Sequence, residues 1–157
     1  MTVDETLLGL LARKKECFLQ VEAITEEMAV VGVEELSVCM DRRARLLETV
    51  GGLDEEIRAL AAGRPELLAA LNHTVGRAGL PPSSARLYDA SLSVKTVVNR
   101  IRKNEDTVRE HLELEKQRIL SRMEELNRSG PAVAEQYRRS VQTGIQRQIG
   151  FGKDRML

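Results

Sequence analysis

Apolar residues recur along this chain at helical spacing from its first turn. Leu7, Leu11, Phe18, Val21 and Met28, with Thr25 among them, follow one another at intervals of three, four or seven. At 3.6 residues per turn they form one inward stripe. Thr2 and Glu5 ahead of it have the spacing of a capping box, and Gly32 is the natural stop, so the pattern predicts a first helix over 3–31. Lys14 falls in the stripe and is expected to snorkel at its edge. A second helix follows over 33–62, with Leu36, Met40, Ala44, Leu47, Val50, Ile57 and Leu60 inward. Its Gly51-Gly52 pair costs about 2 kcal/mol relative to two alanines, and a bent but continuous helix is the expectation.

Pro65, in a first-turn position where its missing amide costs nothing, opens a short third helix over 65–76 carrying Leu67, Leu68, Leu71 and Val75. Gly76 and Gly79 end it. Leu80-Pro-Pro-Ser-Ser84 then reads as a loop, with Ser83 or Ser84 capping the next helix. From 84 to 129 no helix breaker occurs, and Leu87, Ala90, Val94, Val97, Ile101, Val108, Leu112, Ile119, Met123 and Leu126 face one way. Such a helix is roughly 65 Å long and needs long partners, which the first two helices supply. Asn104 and Glu115 interrupt its stripe with polar groups of the kind that fix register in coiled coils. After Gly130-Pro131 a last stripe begins with Val133, Tyr137, Val141, Ile145 and Ile149. The predicted fold is all-α. An elongated, antiparallel, coiled-coil-like bundle over 1–130 contains one short connecting helix, and a C-terminal helix and flexible tail follow over 131–157.

Composition agrees. The 157 residues hold no Trp, two Tyr and two Phe, and none of the four prolines interrupts a periodic run. Basic and acidic residues cancel at 24 each, so no net field recruits nucleic acid or an anionic membrane. The cancellation hides a gradient: residues 1–62 carry 7 basic and 13 acidic groups, and 131–157 carry 5 and 2. No stretch has the length of a signal peptide core or a membrane span, so the expected location is the cytoplasm. Cys17 and Cys39 read as small buried hydrophobes, offset by roughly 12 Å across a turn at Gly32, too far for a bridge.

Catalytic chemistry has no foothold in the pattern. His73 has no ligand-forming neighbour, and His111 with Glu115 is one pair on a helix face, short of a metal site. No GxSxG, HExxH or P-loop pattern occurs. The paired acids Glu34-Glu35 and Glu124-Glu125 diverge around their helices. Arg100, Arg102, Lys103 and Arg109 form a basic cluster, but Glu105, Asp106, Glu110 and Glu113 interleave with it and no aromatic platform accompanies it. The expectation is a protein that is not an enzyme, with no cofactor, no metal and no nucleic-acid partner.

The stretches "AVVGVEELSVCMDRRARLLETV" and "VVNRIRKNEDTVREHLELEKQRILSRMEEL" together resemble the FlgN family of flagellar type III export chaperones. Gly32, Leu36, Arg43, Leu46 and Leu47 fit that family's turn and leucine-spaced helix. Asn99 or Asn104 matches its early asparagine in the long helix, and Tyr137 its following tyrosine. The resemblance implies a non-enzymatic chaperone of bacterial flagellum biogenesis that holds helical segments of hook–filament junction (hook-associated) proteins before export. Export-apparatus components are further implied partners, and substrate binding falls in the C-terminal region.

The residues of that region suit such a role. Val133, Tyr137, Val141, Ile145 and Ile149 drift around a helix in steps of four, with Phe151 between glycines as an anchor. The stripe therefore curls and suits wrapping on a partner helix, with the segment mobile alone and ordered on binding. The alternative for the segment is that it folds back on its own bundle. The alternatives for the protein are a structural adaptor that forms a homo-oligomer through the long helix, or a basic-tailed binder of nucleic acid or membrane surfaces.

Overall fold

In a computed structural model of the chain, residues 1–127 and 135–142 are described. They form an all-α helical bundle. The elements are α1 (Val3–Met28), α2 (Val33–Ala61), α3 (Pro65–Asn72), a 3-10 turn (Arg77–Gly79) and α4 (Pro82–Leu126). Residues 135–142 are also helical, and the described residues contain no strand.

The ends of the helices follow from local chemistry. At the start of α1 the Glu5 amide donates to the Thr2 hydroxyl at 3.1 Å and the Thr2 amide to the Glu5 carboxylate at 3.3 Å, which is the reciprocal capping box. The helix stops at Met28, three residues short of the expected end. Ala29 and Val30 donate to the Glu26 and Glu27 carbonyls, tightening the last turn before the chain reverses. Then α2 starts at Val33, with the Leu36 amide on the Gly32 carbonyl at 2.9 Å. The Glu35 carboxylate folds back so far that a Cβ on residue 32 would lie 3.0 Å from it.

Gly51 and Gly52 do not break α2, which is continuous through both. An added Cβ at either would meet nothing within 4 Å. Gly51→Ala with Gly52→Ala is therefore expected to raise the unfolding free energy by about 1–2 kcal/mol. Urea denaturation followed by circular dichroism checks this, and unchanged or lower stability would mean that α2 needs the pair's backbone freedom.

Two boundaries differ from the sequence expectation in instructive ways. Instead of running to residue 76, α3 stops at Asn72, because His73 takes the left-handed conformation (φ 56°) and donates its amide to the Ala69 carbonyl. A residue with a Cβ rarely adopts that conformation. Here its ring packs edge-on against Tyr88 at 4.6 Å, with Nε2 3.3 Å from the Tyr88 carbonyl oxygen. The start of α4 is Pro82, two residues earlier than expected, with the Ala85 amide on the Pro81 carbonyl. Proline opens the helix, and Ser83 and Ser84 lie inside its first turn instead of capping it.

Two compact units make up the bundle. The first comprises 1–23 and 45–101. Its core packs Leu7, Leu10 and Leu11 of α1, Leu53, Ile57 and Ala61 of α2, Leu67 and Ala70 of α3, and Leu87 of α4. Lys14 snorkels as expected, and its ammonium meets Asp54 at 2.6 Å. Arg100 of α4 donates twice to Glu22 of α1, at 2.7 and 3.1 Å, and these bonds hold the Glu22 carboxyl below its usual range. Arg77 and Asp89 form a similar two-bonded pair at 2.9 and 3.0 Å.

The second unit comprises 24–44 and the described residues from 102 on. Ile24, Met28, Leu36, Cys39, Val108, Leu112 and Met123 are buried in it. So is a charge, because Arg43 faces inward and its guanidinium donates to Glu105 of α4. Arg42 meets Glu27 at 3.5 Å across the reversal. Both cysteines are free thiols, and burial pushes both up, away from the thiolate.

Candidate helix-binding surface

Beyond its meeting with the α1–α2 reversal, α4 of the second unit continues without full cover. The meeting point is His111, whose Nε2 lies 2.6 Å from the Val31 carbonyl oxygen, the ring N–H donating. Up to there the inward stripe is closed: Val108 and Leu112 are buried. Further on the same stripe opens. Ile119 is half-buried and Leu126 is 54% exposed, although Met123 between them is buried. Off the stripe, Leu114 is 65% exposed, an isolated leucine on an otherwise charged face.

Leu114 and Ile119 line a groove of about 650 Å³ within the second unit. Val33, Glu34 and Glu35 at the start of α2 form one side. Leu114, Ile119, Arg118 and Arg122 of α4 form another, and Tyr137 of the 135–142 helix contributes its ring. Glu115, only 8% exposed, accepts a hydrogen bond from the Arg118 guanidinium at 2.8 Å. Val33, Leu114, Ile119 and Tyr137 are its apolar members, set among eight polar and charged side chains, and a mixed lining of this kind can receive an amphipathic helix.

Of the residues singled out from sequence, Tyr137 is at this groove and is 55% exposed. Val141 is half-buried in the same short helix. Val133, Ile145, Ile149 and Phe151 lie outside the described residues. The pattern of the sequence did not single out Leu114, Val33 or Ile119 as surface. The available signal was Leu114 itself, a large apolar residue a third of a turn and more away from the inward stripe.

The other chemical features resolve into structure. His111 bonds the chain reversal and Glu115 bonds Arg118, so the two are engaged separately. No group of three or more metal-ligating side chains occurs among the described residues. The basic cluster on α4 is largely spoken for. Arg100 is held by Glu22, and Arg109 sits 3.3 Å from Asp106 and 3.9 Å from Glu105. Arg138 and Arg139 both reach Glu135 at 3.5 Å. No described helix is long and apolar enough to cross a membrane. No family model, no curated protein and no solved structure matches the chain.

Proposed function

We propose that this protein is a non-enzymatic, cytoplasmic export chaperone that holds a helical segment of a client through its second unit, in the manner of the FlgN family it resembles. The clients on this reading are hook–filament junction proteins, bound before type III export. One observation carries it: past His111, Leu114 and Ile119 of α4 and the ring of Tyr137 line a groove of about 650 Å³, with Leu114 and Tyr137 more than half exposed. Leu114, Ile119 and Tyr137 lie on different faces of their helices yet line one groove, and apolar side chains brought together around a groove mark an interaction site. The client helix lays its apolar face against Leu114, Ile119 and Tyr137. On this reading Val133, Val141, Ile145, Ile149 and Phe151, the apolar residues of the C-terminal segment, are further contact residues for the client.

Isothermal titration of the full chain with hook–filament junction proteins is the test. Leu114→Glu with Tyr137→Ala is expected to weaken binding at least about tenfold, the loss of two interface anchors. Both side chains are more than half exposed, so the fold should survive, and circular dichroism checks that it does. Absence of binding by the intact protein removes these clients. Undiminished binding by the double variant moves the site elsewhere.

A further inference from the structure

Resting on that helix-binding reading, we infer that the groove of the second unit selects an amphipathic partner helix whose flanks are cationic. The lining carries four carboxylates, Glu34, Glu35, Glu115 and Glu125, against two guanidiniums, Arg118 and Arg122. Arg118 and Glu115 pair with each other at 2.8 Å. That leaves three carboxylates to one cation at the rim, where a bound helix would present its flanks. The partial positive charge at the start of α2 offsets roughly half a unit of this, and the folded-back Glu35 is the residue that answers it. Glu34 and Glu125 remain turned to the groove without that role.

Arg42 and Arg43, the cations nearest in α2, are already engaged with Glu27 and Glu105. A partner with lysines or arginines on both sides of its apolar stripe lays their alkyl stems along Val33 and Tyr137 while their heads reach the carboxylates. A partner flanked by carboxylates meets like charge on the α2 side. The groove's volume exceeds one side chain, so anchors at i, i+4 and i+7 of the partner enter it together.

Two designed helical peptides with one shared leucine stripe, flanked by lysine in one and glutamate in the other, provide the probe. Fluorescence anisotropy with the full chain is expected to show the lysine peptide binding at least about tenfold tighter at low salt, the gap shrinking near about 0.5 M salt. Glu34→Gln with Glu125→Gln narrows the gap severalfold, and Leu114→Glu with Tyr137→Ala abolishes binding of both. Equal affinity for the two peptides overturns the charge selection and leaves the helix-binding reading standing. If neither peptide binds while junction proteins do, the groove is not the site. If the lysine peptide binds only after Ile145→Asp with Ile149→Asp, the chain's own cationic end is the occupant, and the assignment to a partner is overturned.

Discussion

Arg43→Ala is expected to lower the unfolding free energy by about 3 kcal/mol, the cost of leaving one member of a buried ion pair alone. Arg43 is 9% exposed as a residue and the Glu105 side chain 14%. Removal of the guanidinium leaves the Glu105 carboxylate in poor solvent, with Arg109 3.9 Å away. Arg109 is 42% exposed and shares its charge with Asp106, so it compensates weakly. The surface pair Arg42–Glu27, half exposed on both sides, gives the contrast. Its loss should cost about 0.5 kcal/mol and disappear with added salt. The double variant Arg43→Met with Glu105→Leu should recover most of the loss, because apolar groups of similar size replace buried pairs without penalty. Urea denaturation of the three variants decides it. A loss below about 1 kcal/mol for Arg43→Ala would show the pair to be screened like any surface contact.

That pair also shows where sequence reading stops. In α1 every inward residue expected from spacing is buried: Leu7, Leu11, Phe18, Val21, Thr25 and Met28. Local periodicity suffices there because the stripe is made of apolar groups. In α2 the same reasoning chose Met40 and Ala44, which are only half-buried, and passed over Arg43 and Leu53, which are buried. A charge can sit inward only when a partner neutralises it, and that partner lies 62 residues away. The end of α3 was illegible for a similar reason. His73 leaves the helix into a left-handed conformation secured by Tyr88, fifteen residues on. At the surface, Tyr137 was legible as an aromatic on a stripe, whereas the opening of α4 at Ile119 and Leu126 depends on where the α1–α2 reversal meets it. Nothing local to α4 encodes that meeting point, which Val31 and His111 fix from 80 residues apart.

The first unit carries the second large effect. Leu87→Ala is expected to cost about 3–4 kcal/mol, since Leu87 has no exposed surface and its removal leaves a cavity that helices on every side hold open. Leu92, five residues further along α4 and 44% exposed, should lose about 0.5 kcal/mol or less on the same substitution. The distribution of the loss is as telling as its size. With eight residues, α3 is too short to persist alone. Its Leu67 and Ala70 are held by the cluster that Leu87 completes, and its Leu71 carbonyl accepts from the Ser91 hydroxyl at 2.8 Å. Thinning the cluster should therefore loosen α3 before the long helices that share the core. Amide exchange of Leu68 to Leu71 should accelerate beyond what the global loss explains, while amides near Leu10 and Ile57 follow the global value. Uniform acceleration across all of them would mean that α3 unfolds only with the whole unit, and its burial against Leu87 would then not be what keeps it folded.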